Sequence, residues 1–576
     1  MKLFASRFAS TVTITFFCAF FTYGIMLSAN AKKLELFKLT QLFSAEAGSS
    51  LTIADSIIAN PLLYEGLDKP VIIVPASNGV ISFLDPDSGG KLGEVKLPTP
   101  INQQAQLIAT PVLAEGKLIV VYQCLKEGVR DSHRMVVIDV TSHAVDKQFP
   151  VLTITAEKAA ENGAGKIRFN SATAFSHAAL KYLPRPLATL GYVYAGFGNS
   201  GDVQPYHGWL FEVDLDAWLK QGVKQAIRNV LLTTPETDCP VSMQYGTQEM
   251  ICGGGIWAPS GLQITEQIGQ PELLIPTGNG QLDLARHDYA NTLMRVQPGL
   301  QFDPQCDDNL CENFNPSQPK EACMASCKNL FIPRLATGNK PLKPANGECD
   351  DKTFAECLAW LDYDLGANSP ATVKLANGQS VVVQPGKDGG VYLLDAEQLG
   401  KQYDRLELVD VCGTASDPCK AAWMGMIVTQ PVVTYFENQP IIIVATFNPD
   451  KSHAAGVIAL KIAENNGQPK LQRFWQFPNP NAPAAMQSFR SHPSQPLITT
   501  PGKSKQPVVW VVDINTHGTL YGIRVKDGRL VAKQQLQGAG RPDSAPVVYE
   551  DKLFLPSVMP DTNQAMLEVY QINLAE

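Results

Sequence analysis

The chain alternates short apolar, β-branched runs with glycine-centred turns, and the same unit recurs from about residue 60 onward. Four copies stand out: VIIVPASNGVISFLDPDSGG at 71–90, YVYAGFGNSGDVQPYHGWLFEVDLDA at 192–217, VVVQPGKDGGVYLLDAEQLG at 381–400 and VVWVVDINTHGTLYGIRVKDG at 508–528. In each, a turn glycine precedes a strand-ending polar residue by six: Gly79 and Asp85, Gly208 and Asp214, Gly389 and Asp395, Gly518 and Arg524. That spacing holds a strand of about five or six residues. In three copies a second glycine (Gly89, Gly400 or Gly528) closes the next turn. Weaker copies at 118–140, 271–299, 440–462 and 545–574 fill the gaps, making eight units. Eight repeats of one supersecondary unit predict an all-β fold, an eight-bladed β-propeller over 40–576 with a cysteine-rich loop insertion. A strand near Asn60–Tyr64 is expected to pair with the last blade and close the ring, which removes free sheet edges. A β-sandwich, or two smaller β domains, would not produce so regular a spacing. Helical patterning is rare; Leu215–Arg228 is one candidate, in a loop between blades.

The first 31 residues read differently. Lys2 and Arg7 precede an apolar run from Thr13 to Leu27, and Ala29-Asn30-Ala31 follows as a small-x-small cleavage box. The run is short beside the roughly 20 residues a bilayer span needs, so it reads as a signal peptide, with an uncleaved anchor as the rival. Cys18 lies inside the run rather than after a cleavage box, which argues against a lipoprotein. No later segment is long and apolar enough to span a membrane. The expected location is exported, periplasmic or secreted.

Composition agrees with a turn-rich β protein: charged residues are 18% of the chain, with 44 Gly and 41 Pro. A net charge of −8 and a pI near 5.6 offer no basic face for nucleic acid. Of the 12 cysteines, six fall between 306 and 357: Cys306, Cys311, Cys323, Cys327, Cys349 and Cys357. In an exported chain these read as up to three disulfides stapling an insertion at about 300–358, with connectivity open. Cys239 with Cys252 and Cys412 with Cys419 are plausible local pairs, leaving Cys124 single. The zinc alternative is weak, because the insertion has neither a C-x-x-C pair nor a histidine. The absence of C-x-x-C-H anywhere excludes covalently attached c-type haem.

The repeat, with its turn glycine, aromatic-rich strand, Leu-Asp and closing glycine, resembles the PQQ-type propeller repeat. That repeat is shared by quinoprotein alcohol dehydrogenases and by non-enzymatic relatives such as the outer-membrane assembly scaffold lipoprotein. Four stretches follow the dehydrogenase order. Gly253-Gly254-Gly255-Ile256-Trp257 is similar to the stretch whose Trp lies beneath the quinone ring. Thr277-Gly278-Asn279-Gly280 resembles the segment whose Asn carbonyl ligates calcium. Leu361-Asp362-Tyr363-Asp364 resembles the W-D-Y segment that carries the catalytic base, with Leu361 in place of Trp and Trp360 beside it. Gly386-Lys387-Asp388-Gly389 resembles the segment whose Lys or Arg reaches the quinone oxygens. The resemblance implies pyrroloquinoline quinone (PQQ) and calcium as cofactors. It makes Asp362 the base and a metal ligand, Trp257 and Lys387 cofactor contacts, and Asn279 and Asp202 further metal ligands. Asp202 stands one residue out of register with the family's calcium-ligating Glu, and the family's adjacent Cys-Cys pair is missing. Taken together, GDVQPYHGW, GGGIW, TGNGQLD and DYDLG…GKDGGVYLLD look most like exported PQQ-like propellers of no established activity.

The chemistry implied is coherent. A cation polarises the quinone carbonyl, a carboxylate takes the alcohol proton, and an indole supports the planar ring. Partners would then be an alcohol or sugar and a separate electron acceptor. Each residue also has a purely structural role open to it: turn for Lys387 and Asn279, packing for Trp257, surface for Asp362 and Asp364. On that second reading the chain is a scaffold for a protein or glycan. The insertion itself could roof the site or block it. Other chemistries lack their motifs: there is no G-x-S-x-G, no H-E-x-x-H, and Leu497 stands where a P-loop ending in Gly502-Lys503-Ser504 needs glycine.

Overall fold

The computed structural model describes residues 36–45 and 59–575 apart from internal stretches, the longest being 200–205, 237–241, 336–353, 410–425, 483–488 and 560–564. The signal-peptide segment, Asp202, Trp360, Cys239, Cys349, Cys412 and Cys419 lie outside the described residues. Eight antiparallel sheets form the blades of a propeller, six of them four-stranded, with blade 2 six-stranded and blade 3 five-stranded. No helix among the described residues is long and apolar enough to cross a membrane.

The apolar runs have a direct explanation. Val71–Pro75 and Val508–Asp513 are buried along their whole length, because each blade is covered on both faces. Ile72 and Val74 pack against Phe554, Leu567 and Val569 of blade 8, whereas Val71 and Ile73 pack against Leu118 and Val120 of blade 2. Every interface between neighbouring blades has such a cluster, eight in all around the ring. The hydrophobic core is therefore a ring of interfaces, and each blade depends on both neighbours.

Ring closure differs from expectation. Leu62–Tyr64 is the inner strand of blade 1 and pairs with Val71–Pro75. The closing strand is Phe37–Ala45, which pairs antiparallel with Ala565–Leu574 from Phe37 opposite Leu574 to Ala45 opposite Leu567. The expected helix is also shorter. Leu215–Gln221 is capped by the Asp214 carboxylate, which accepts from the Ala217 N–H. It stops at Gly222, φ +84°, before a 3₁₀ turn and the strand Ile227–Leu232.

Strand direction sorts the loops into two faces. The turn between the second and third strands of each blade, and the connection onward to the next blade, share one face. The cysteine insertion is divided by this rule. Leu330–Phe331 is the outer strand of blade 4, paired with Leu293–Val296. The described residues of 297–329 therefore lie on the opposite face from the described residues of 332–370. The disulfides Cys306–Cys327 and Cys311–Cys323 are in that first part. It clamps blade 4 to blade 5: Gly400 N–H donates to the Cys327 carbonyl at 2.9 Å and the Gln398 amide to the Ala325 carbonyl at 2.8 Å. Only the second part can approach the site face. Cys252 and Cys357 are disulfide-bonded to partners outside the described residues, and Cys124 is free and buried. With Cys306, Cys311, Cys323 and Cys327 tied up in bridges, they offer no thiolates to zinc.

Buried carboxylates stitch adjacent blades. Glu568 of blade 8 accepts from the Gln537 and Gly538 N–H groups, both at 3.0 Å, and from Ser557 and Tyr570 hydroxyls at 3.0 and 2.7 Å. Glu212 plays the same part at the interface of blades 3 and 4, accepting from Tyr194 and from the Gly299 N–H. Glu568→Ala strands three buried donors and the part-buried Gln537 N–H, so it is expected to cost about 2–3 kcal/mol, read as a lower urea midpoint at unchanged slope.

Candidate functional site

All the described residues singled out from sequence fall on one face, over blades 3 to 5. Trp257 lies in the connection from blade 3 to blade 4 and Asn279 in the turn between the second and third strands of blade 4. Asp362 lies in the connection to blade 5, and Lys387 in the corresponding turn of blade 5.

The glycine trio before Trp257 is a passage for backbone. Gly253 and Gly254 have φ of +78° and +74°. A Cβ on Gly253 would come 2.3 Å from the Asn279 carbonyl oxygen, and one on Gly254 would come 2.5 Å from Thr233 Oγ1. Only glycine tolerates both the dihedrals and the crowding. The segment is locked in place by Gly278 N–H donating to the Gly255 carbonyl and Gly254 N–H donating to the Asn279 carbonyl, both at 2.7 Å. Tyr206 Oη donates to the same Asn279 carbonyl at 3.2 Å. The backbone of Asn279 is thereby fixed, and its side chain is directed at Asp362: Nδ2 donates to Asp362 Oδ1.

Asp362 sits in the left-handed region at φ +58°, where Asp is among the better-tolerated residues. The chain reaches it from a short helical turn tied by Leu361 N–H to the Cys357 carbonyl and Tyr363 N–H to the Leu358 carbonyl. The turn brings Asp362 and Asp364 to one lysine. Lys387 Nζ is 3.2 Å from Asp362 Oδ2 and 3.2 Å from Asp364 Oδ2, and it stands 4.9 Å above the Trp257 ring centroid. Burial alone would lower the pKa of this ammonium, but the carboxylates of Asp364 and Asp362 outweigh it and hold it above the usual lysine value. Lys387 and Asp364 are buried, whereas the Asp362 side chain keeps 23% of its surface open.

The next residue points the other way. Asp388 accepts from Tyr392 Oη at 3.1 Å and pairs with Arg405, whose side chain is fully buried and also reaches Glu407 at 2.7 Å. This second ion pair anchors the turn from which Lys387 projects. Asp364, Arg405 and Asp388 were not singled out from sequence as site residues. His177 was not either; its Nδ1 lies 3.1 Å from the Trp257 carbonyl and its ring is nearly parallel to the indole at 6.2 Å. Asp202 cannot be placed, since it lies outside the described residues.

Comparison with solved structures fits this architecture. A quinohemoprotein alcohol dehydrogenase of Pseudomonas putida HK5 aligns over 92% of this chain and 76% of its own, at 12% identity and a TM-score of 0.51. The likeness is one of fold, an eight-bladed β-propeller. A europium-containing methanol dehydrogenase aligns over 92% of this chain and 93% of its own, at 11% identity and a TM-score of 0.50. BamB from Moraxella catarrhalis aligns over 93% and 100%, at 11% identity and a TM-score of 0.45. No family model and no curated protein sequence matches the chain.

The donors of this cluster fit a hard cation beside a planar ring. Asn279 Oδ1 and Asp364 Oδ1 are buried without a hydrogen-bond partner. Among the described residues one lysine faces two aspartates. Buried oxygens without a donor, beside carboxylates, are what an oxygen-liganded ion relieves. The Trp257 indole supplies a flat surface next to them.

Proposed function

We propose that the chain is an exported quinoprotein-type propeller that takes PQQ and calcium over Trp257 and oxidises an alcohol or sugar, passing electrons to a separate acceptor. The observation that carries this is the convergence of Trp257, Asn279, Asp362 and Lys387, from four separate segments, into one contacting cluster. Asn279, Asp362 and Asp364 would hold the ion, and Trp257 would support the ring. Bound there, the quinone supplies a hydride acceptor and the ion polarises its carbonyl. Asp362, the more open of the two carboxylates, is the group placed to take the substrate hydroxyl proton. Lys387, kept charged by its two carboxylates, provides positive potential beside the indole.

A second reading rests on the same lysine. Its ammonium covers the indole and bridges both carboxylates, an arrangement that stands without a cofactor. On that reading the propeller is a scaffold for a protein or glycan. Titration of the purified protein with PQQ and Ca²⁺, followed by absorbance and thermal shift, separates the two. Saturable, calcium-dependent binding with a raised melting temperature is the expected result. No shift at PQQ concentrations well above micromolar would remove the quinoprotein reading and leave the scaffold.

A further inference from the structure

A second anomaly lies on the same face, away from the lysine cluster. Asp288 is fully buried, and neither of its carboxylate oxygens has a hydrogen-bond partner. It stands near the end of the loop 277–292, where Asp283 and Asp288 pair across a short ladder. The next residue, Tyr289, donates its N–H to the Thr233 carbonyl at 2.8 Å, which fastens this loop to the chain leaving blade 3. Three residues on is Glu236, also buried, with Oε2 3.5 Å from the guanidinium of Arg286. Burial first, and Glu236 second, push the Asp288 carboxyl up to about 8 against the pull of Arg286.

Arg286 reaches Glu236, whereas Asp288, where water is excluded, has no donor among the described residues. An isolated buried carboxylate with no donor is among the most costly arrangements a fold can hold. We propose that Asp288 and Glu236 form a cation site of their own, for a hard divalent ion of the calcium class. The nearby ligands are oxygens. Cys252 is tied up in a disulfide, and His287 turns to the exposed Glu161, so neither offers a soft ligand. An ion there would pin the 277–292 loop to the end of blade 3, and the same loop carries Asn279 at its other end.

The test uses the full chain freed of metal by chelation. It is titrated with Tb³⁺ while tyrosine-sensitised emission is read, since Tyr289 adjoins Asp288, and separately with Ca²⁺ while the melting temperature is read. Asp288→Asn and Glu236→Gln are each expected to weaken Tb³⁺ binding at least ~ten-fold and to remove the calcium-dependent rise in melting temperature. Asp362→Asn, in the other cluster, should leave that binding class in place. Emission unchanged in Asp288→Asn, or lost only in Asp362→Asn, overturns the proposal. So does a wild-type chain with no saturable emission and no thermal shift in millimolar calcium; a proton then holds the pair together. Should Asp288→Asn fail to fold, Glu236→Gln and the wild-type calcium shift decide.

Discussion

Lys387→Met is expected to cost about 3–5 kcal/mol of stability, the penalty for leaving a buried carboxylate without its partner. The group stranded is Asp364, whose side chain is 2% exposed and whose Oδ1 already lacks a donor. Asp362 is better placed to survive the change, because it is partly open to solvent and keeps the Asn279 amide. Methionine fills most of the lysine volume, so the loss reads as charge rather than cavity. A double variant, Lys387→Met with Asp364→Asn, should recover much of it, since removing both partners of a buried pair is far milder than removing one. Urea midpoints of the four members of that cycle provide the measurement. Equal losses in the single and double variants would show that Lys387 acts through packing alone.

The same ion pair sets a pH dependence with a definite sign. Lys387 is held above its usual value in the fold by Asp364 and Asp362, so the folded pKa exceeds the unfolded one. Its contribution is therefore complete below about 10.4, the unfolded value, and is lost as pH rises through the folded pKa. Wild-type stability should fall across that alkaline range more steeply than that of Lys387→Met, which has no ammonium to lose.

The blades were legible in the sequence because both faces of each are covered, which leaves runs such as VIIVP and VVWVVD apolar throughout. The turn glycines then marked where one strand stops. The closing strand Phe37–Ala45 was not legible for the opposite reason. As the outer strand of its sheet it carries exposed Leu42 and polar neighbours, and it looks like an ordinary leader to the first repeat. Leu330–Phe331 is only two residues long, too short for a pattern, so the insertion looked continuous although a blade strand divides it between two faces. The site was half legible. Trp257, Asn279, Asp362 and Lys387 were visible as turn motifs, whereas the supporting pair Arg405 and Asp388 was not. QYDRLE, at 402–407, reads as a solvated outer strand. Arg405 is nonetheless buried, with its guanidinium 5.3 Å from the ring centroid of Phe354 in the second part of the insertion. Burial of a charged strand by a distant segment leaves no local trace in the chain.

Asp362→Ala is the variant with the largest expected effect on function. If Asp362 takes the substrate proton, turnover with PQQ, calcium and an alcohol should fall by about 10²–10⁴-fold, the usual contribution of a positioned general base. Calcium affinity should weaken as well, because the same carboxylate is a proposed ligand. The fold should lose only about 1–2 kcal/mol, the cost of an alanine at φ +58°, because Lys387 keeps Asp364 as a partner and the lost carboxylate is the more exposed of the two. Asp362→Asn refines the test: it preserves the shape of the side chain and removes the base. A variant that melts like the wild type yet neither turns over nor binds calcium locates the chemistry at Asp362. Turnover retained in both variants would assign proton transfer to another group, while binding and turnover absent from the wild type itself would leave the lysine-bridged cluster as a structural element of a scaffold. The contrast is sharp because the fold depends on Asp364, two residues further along, and the proposed chemistry depends on Asp362.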